Sequence, residues 1–228
     1  MDETRTRAKV INRLVSAIAT LECDHPLRVA IDGVDAAGKT RLADELVTPI
    51  EKLGHPVIRA SIDGFHYPRE HRYQRGHTSP LGYYLDSFNL AALRETLLLP
   101  LGPGGNCHYR RAVFDYRQDV VVDSTVEIAS QRAILLFDGV FLLRPELVTD
   151  WDYSVFVAVD FDVSLSRALA RDLPQDARPD EIQALRHLYQ QRYMPGQRIY
   201  LQEARPWENA NVVLDNNHWE FPRLEREG

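Results

Sequence analysis

Eight consecutive residues, Gly33-Val34-Asp35-Ala36-Ala37-Gly38-Lys39-Thr40, constrain this chain more than any others. They fit the pattern G-x-x-x-x-G-K-[ST] at every required position. Ahead of them the apolar run Val29-Ala30-Ile31 reads as a short buried strand. Behind them Leu42, Ala43, Leu46 and Val47 fall at helical spacing. The pattern therefore sits where a strand turns into a helix, which is the context that gives it meaning. The two glycines let the backbone curl so that N–H groups point inward, and the helix start adds a partial positive charge. Such a loop suits a polyphosphate. Lys39 would reach the terminal phosphates and the Thr40 hydroxyl would sit on Mg²⁺. Gly33, Val34, Asp35, Ala36, Ala37, Gly38, Lys39 and Thr40 are thus the expected nucleotide-binding residues.

The rest of the chain supplies a sheet for this loop. Residues 3–22 carry Val10, Ile11, Leu14, Ile18 and Leu21 near helical spacing and predict an amphipathic leading helix, ended by Asp24-His25-Pro26. It could pack within the chain or across a homodimer. The loop's helix ends near Leu53-Gly54, and Val57, Ile58, Ala60 and Ile62 mark a second strand, so a parallel crossover is expected. Residues 64–88 read as a long irregular loop, polar and aromatic; loops of that length are usually functional. Asn89 to Leu99 reads as a helix. Val113, Phe114 and Tyr116 with Val120 to Val122 suggest a small hairpin. Ala133 to Phe137 and Tyr153 to Val159 are buried strands, followed by helices over 163–172 and Glu181 to Tyr193. Pro195-Gly196 predicts a break before a shorter helix. Val212 to Leu214 makes a last strand, and the tail from Asn216 reads as polar and frayed. Alternating strands and helices predict a three-layer α/β fold, a mostly parallel sheet with helices on both faces. At 228 residues, one domain is expected.

Composition removes several classes. The formal charge of −6 argues against a broad nucleic-acid or anionic-membrane surface, while leaving room for a local cationic pocket. Cys23 and Cys107 form no metal or redox pattern and read as reduced thiols of a cytoplasmic protein. No apolar run approaches a membrane span, and no apolar segment backs Met1 to Lys9 as in a signal peptide. His66, His71 and His77 lack the compact spacing of a zinc site.

Ligands of an open parallel sheet sit at the carboxyl ends of its strands, where Gly33, Asp63, Asp138 and Asp160 all fall. Asp138 ends a buried strand and is placed to hold Mg²⁺ directly or through water. Asp160 has the same local look and is read as structural. Asp63, on the strand after the loop, is placed to orient an attacking hydroxyl and accept its proton, and to help hold the metal. Arg167, Arg171 and Arg178 surround a Pro-interrupted segment that would close over a transferring phosphoryl group; Arg171 and Arg178 are preferred. Phe65, His66, Tyr84, Asp86, Phe88 and Tyr116 are the expected acceptor-binding residues, because aromatic faces stack and polar tips bind hydroxyls.

In this order the motifs resemble the uridine kinase-like family of phosphate-loop kinases, over about Arg28 to Asn216. That group includes pantothenate kinase, phosphoribulokinase and nicotinamide riboside kinase. The family's catalytic aspartate corresponds to Asp63 in Ser61-Ile62-Asp63-Gly64-Phe65-His66, and its Asp-x-Phe element to Asp86-Ser87-Phe88. Its acceptor hairpin is similar to Val113 to Tyr116, its strand-end acid to Asp138 before Gly139-Val140, and the start of its lid to Arg167 to Asp172. The resemblance implies an ATP-dependent small-molecule kinase using Mg²⁺, with an acceptor-site insertion over 64–128 and a lid over 167–182. Asp63-Gly64-Phe65-His66 is closer to the pantothenate- and sugar-kinase branches than to uridine kinases, Asp138 replaces a usual glutamate, and Asp119 stands near a usual histidine. The acceptor is therefore nucleoside-like, pantothenate-like or a sugar; a nucleotide-dependent regulatory module is the rival of a different class.

Overall fold

The computed structural model describes residues 6–227. Helix α1 (Arg7–Ala19) leads to β1 (Leu27–Gly33), α2 (Lys39–Lys52) and β2 (Val57–Ser61). A 3-10 turn (Ile62–Phe65) and the short helices α3 (Arg69–Arg72), α4 (Pro80–Asp86) and α5 (Leu90–Leu93) follow, the last running into a π turn over Arg94–Leu98. Four two-residue strands come next: β3 (His108–Tyr109), β4 (Phe114–Asp115), β5 (Val120–Val121) and β6 (Glu127–Ile128). The chain then returns to the centre with β7 (Ile134–Gly139), β8 (Tyr153–Ala158) and α6 (Phe161–Asp172). Helix α7 (Pro179–Leu188), a second π turn (Tyr189–Tyr193), α8 (Met194–Ala204), α9 (Pro206–Asn209), β9 (Val212–Asp215) and β10 (Arg223–Glu227) complete it.

The main sheet runs β10-β9-β8-β1-β7-β2, with every neighbour parallel except β10 against β9. β1 and β2 are parallel members of one sheet, as the crossover predicts, but β7 lies between them. The reason is visible in β7 itself, whose six residues are all buried. Its side chains alternate: Ile134 and Leu136 join Val29, Ile31, Val155 and Val157 under α1 and α2, while Leu135 and Phe137 join Phe65, Phe141, Trp151 and Tyr200 on the other face. A strand with two apolar faces belongs at the centre of a sheet covered on both sides. The three-layer α/β arrangement is thus the observed one.

Several local expectations change. The expected helix start at residue 3 lies outside the described residues, and Leu21 is exposed beyond the end of α1. α1 packs against α2 of the same chain through Val10, Ile11, Leu14, Val15 and Ile18. Residues 64–88 are not an irregular loop but a run of short helices; the Ser79 hydroxyl accepts from the Gly82 amide and starts α4 at Pro80. Pro195-Gly196 does not break the chain's helix. The Met194 amide bonds the Tyr189 carbonyl five residues back, and this wider turn leads straight into α8, where Pro195 needs no N–H. The tail is also ordered: β10 pairs with β9, and Trp219 lies under the Arg41 guanidinium at 3.1 Å. The hairpin forms as expected, β4 against β5. Among the described residues, no helix is long and apolar enough to cross a membrane.

Candidate active site

The register of the sheet brings three strand ends together. Asp138 is opposite Ile31 on one side and Ser61 on the other, so Gly33, Asp63 and Asp138 emerge at the same edge. Asp63 and Asp138 border a cleft of about 610 Å³. Asp35, Ala36, Lys39 and Thr40 line one end, and Asp63, Asp138 and Arg171 lie beside them in the lining. His66, Phe88, Tyr116, Arg117, Arg72, Tyr73, Arg192 and Tyr193 line the far end, and Tyr83 reaches from it to Asp35.

The phosphate loop is held from outside by neighbouring elements. A Cβ at Gly33 would lie 2.4 Å from the Val157 carbonyl oxygen, so only glycine lets β1 pass β8 here. Gly38, with φ +95°, turns the chain into α2. The loop's carbonyls are engaged away from the cleft: Asn216 Nδ2 donates to Ala37 O at 2.7 Å, and Ser164 Oγ to Asp35 O at 2.7 Å. Gln197 accepts from the Asp35 amide at 3.0 Å and donates to its carboxylate at 2.7 Å, while the Tyr83 hydroxyl donates to the same carboxylate at 3.2 Å. The first-turn amides of α2 have no intrahelical acceptor and remain available to an anion. Beneath the loop, Asp32 is fully buried and accepts from the Tyr200 hydroxyl and from the Leu142 amide.

The charges between the two ends are arranged around Lys39. Its ammonium donates to Val34 O at 2.7 Å. Burial pushes its pKa down, and Asp35, Asp32, Asp138 and Asp63 pull it back up. Thr40 Oγ1 donates to Asp138 Oδ2 at 2.6 Å; the other Asp138 oxygen accepts from Arg59 Nη2 at 2.9 Å. A hydroxyl and carboxylates make an oxygen donor set, which suits Mg²⁺. No group of three acidic, histidine or cysteine side chains able to hold a metal occurs among the described residues. Mg²⁺ is usually held by one or two protein oxygens together with substrate phosphates. Asp63 has an exposed side chain, yet protein walls surround its carboxyl within the cleft. That burial raises its pKa, Asp138 raises it further, and Lys39, Arg171 and Arg117 oppose the rise.

The structure separates the expected residues. His66, Phe88 and Tyr116 form one stack, with the His66 ring 4.5 Å from Phe88 and 4.8 Å from Tyr116. His66 Nδ1 donates to the Asp63 carbonyl at 3.1 Å. Burial, assisted by Arg72, brings the His66 pKa down to about 4. Phe65, Tyr84 and Asp86, expected beside them, do not line the cleft. Phe65 is fully buried against Phe137, Tyr84 packs on Phe141 beneath Arg144, and Asp86 accepts from Arg75 Nε at 2.7 Å. Arg171 lines the cleft, with its guanidinium on Asp172 at 2.6 Å and on the Tyr189 hydroxyl at 3.2 Å. Arg178 does not: it caps α7 and pairs with Asp180 and Glu181. Arg167 donates to the carbonyls of Asn216 and Asn217. Asp160 stands at the start of α6, its amide donating to Asn217 Oδ1.

No family model matches the chain. Over 196 residues it is 23% identical to the uridine kinase of Alkaliphilus metalliredigens, a span of 84% of this chain and 88% of that one. Among solved structures, a protein described as a possible uridine kinase from Bacillus stearothermophilus superposes with a TM-score of 0.69 at 21% identity, covering 89% of this chain and 96% of the other. One described as a fructose transport system kinase, from Silicibacter sp. TM1040, gives a TM-score of 0.70 at 20% identity over 85% and 95%. The relatives of this chain are uridine kinase-like kinases of the phosphate-loop fold. Such kinases are phosphotransferases with alcohol acceptors.

Of the cleft residues missed from sequence, Arg72 and Tyr73 belong to α3 and its end, within the stretch read as a loop, while Arg192 and Tyr193 lie in the helix expected over Glu181 to Tyr193, whose cleft-facing side was not read. One signal was present. Ser79-Pro80 is a helix start, so Tyr83 and Tyr84 must point about 100° apart. Only one of them can face the cleft, and it is Tyr83.

Proposed function

We propose that the protein is an ATP-dependent kinase that transfers the γ-phosphoryl group to a hydroxyl of a small, nucleoside-like molecule. The observation that supports this most is the sharing of one cleft by Lys39, Thr40 and Asp138 on one side and the Asp63 carboxyl on the other. The α2 start and Lys39 would hold the terminal phosphates of ATP. Thr40 and Asp138, with Asp63, would hold Mg²⁺, which when bound offsets phosphate charge. Asp63 would orient the acceptor hydroxyl and take its proton as the new O–P bond forms and ADP leaves. Its raised pKa makes it a better base near neutral pH. Arg171 would neutralise charge on the transferring group, with 167–182 closing as a lid and 64–128 building the acceptor side of a single domain.

A sugar acceptor is the second reading. It is favoured by the Asp63-Gly64-Phe65-His66 segment and by the fructose named for one structural neighbour. The test is ADP release with ATP and Mg²⁺ over a panel of nucleosides, vitamins and sugars, with phosphorylated products detected by mass. Acceptor-dependent ADP release is expected. Tight nucleotide binding with no turnover on any panel member would favour a nucleotide-binding module and remove the kinase reading.

A further inference from the structure

The far end of the cleft carries two arginines that the nucleotide half does not use. Arg72 is 9% exposed and Arg192 is 2% exposed, and both line the cleft beside Tyr73. The Arg192 guanidinium carbon lies 4.6 Å from the centre of the Tyr73 ring, and that of Arg72 lies 5.8 Å from it. Arg192 donates to main-chain carbonyls: Gly76 at 3.2 Å, Ser79 at 3.1 Å and Arg72 at 3.1 Å. No carboxylate lies within ion-pair distance of Arg192 among the described residues. Arg72 meets Asp119 at 3.2 Å, but the same Asp119 oxygen also accepts the Arg69 amide at 2.8 Å. The Nε–H of each arginine is buried without a hydrogen-bond partner among the described residues.

Two buried cations flank one tyrosine and only Arg72 meets a carboxylate, which leaves an excess positive charge out of water that a fold avoids unless something meets it. The nucleotide end already has its own balance, with Lys39 facing Asp35, Asp63 and Asp138 and Arg171 on Asp172. Arg72 meets Asp119 in the turn of the β4–β5 hairpin, whose Tyr116 stacks on His66 next to Asp63, and Arg192 bonds the Arg72 carbonyl. A guanidinium offers Nε–H and Nη–H together as a fork that fits a carboxylate or phosphate. We infer that the acceptor alcohol carries an anionic group, a carboxylate or a phosphate, that docks on Arg72 and Arg192 while its hydroxyl turns toward Asp63. This deepens the kinase reading and rests on it.

The test compares acceptors in pairs that differ by one group: glycerate with glycerol for the carboxylate, ribose 5-phosphate with ribose for the phosphate. The best acceptor found on the wider panel is run against its own neutral counterpart in the same way. The anionic member is expected to have a kcat/KM at least tenfold higher, and the pair showing the gap tells carboxylate from phosphate. A neutral molecule that is turned over as well as its anionic counterpart, or better, overturns the inference while leaving the kinase intact. Absence of turnover with every acceptor overturns the kinase reading and this inference with it. Arg72→Gln is expected to raise the KM for the anionic acceptor at least tenfold and to close the gap with the neutral one, with the KM for ATP within twofold. A parallel rise in the KM for ATP would assign the arginines to the nucleotide and overturn the inference. Should Arg72→Gln not fold, Arg192→Lys, which keeps the charge and loses the fork, is read by the same two KM values.

Discussion

The two ends of the cleft are built in different ways. The end proposed for the nucleotide is eight consecutive residues, a backbone cradle with Lys39 and Thr40 at its close, curled by glycines and braced by Asn216, Ser164 and Gln197. The end proposed for the acceptor is side chains gathered from α3, α4, the β4–β5 hairpin and the second π turn, and its arginines join segments 120 residues apart. A backbone-built site can be conveyed by a short run of sequence. A site built by side chains from distant elements exists only once those elements have packed. The first kind can stay constant while the second changes, which is how one fold takes different acceptors.

Substitutions can break this contrast or sharpen it. The largest effect is expected at the boundary: Asp63→Asn should cut turnover about 10³-fold, with nucleotide affinity from a fluorescent-nucleotide titration unchanged. Retained turnover would remove Asp63 as the base. Lys39→Ala should lower turnover about 10²-fold and weaken ATP binding in the same titration; an unaltered titration would detach Lys39 from the phosphates. Next comes a matched pair. Tyr84→Ala removes a buried ring and should cost about 3 kcal/mol in denaturant unfolding. Tyr116→Ala should leave stability within about 1 kcal/mol and raise the acceptor KM, because Tyr116 faces the cleft. Equal effects of the two would erase the distinction drawn between them.

The smallest effect concerns pH. Burial holds His66 near pKa 4 in the fold, against about 6.5 when unfolded. As pH falls, the unfolded chain takes up the proton first. This group therefore leaves stability untouched above pH 6.5 and removes it progressively between 6.5 and 4, by about 1–3 kcal/mol. His66→Gln should flatten the melting-temperature curve across that window. An identical acid slope in the variant would place the loss elsewhere.

The contrast also explains what could be read from the sequence. The apolar run at β7 required a central strand, and the acids that ended apolar runs were found at one sheet edge. Order of strands was less legible: a fully buried run marks β7 as an interior strand without naming β1 and β2 as its neighbours. Expecting Phe65, Tyr84 and Asp86 in the cleft failed for a shared reason: a composition of aromatic and polar residues does not say which way each faces. Facing is decided by packing, here Phe65 on Phe137 and Asp86 on Arg75. The tail was misread for a similar reason. Its polar residues form an edge strand whose support comes from β9 and from Trp219 stacked under Arg41.

The widened turn at Tyr189–Tyr193 reaches beyond its own five residues. Taking one residue more than an α turn, it offsets everything C-terminal to it by about 100° around the axis. Removing a single residue there would restore α spacing and swing Gln197 and Tyr200 away from Asp35 and Asp32, which they brace beneath the loop. The spacing of this helix thus acts as a vernier: one notch sets where the Arg192 side of the cleft and the floor beneath Asp35 line up.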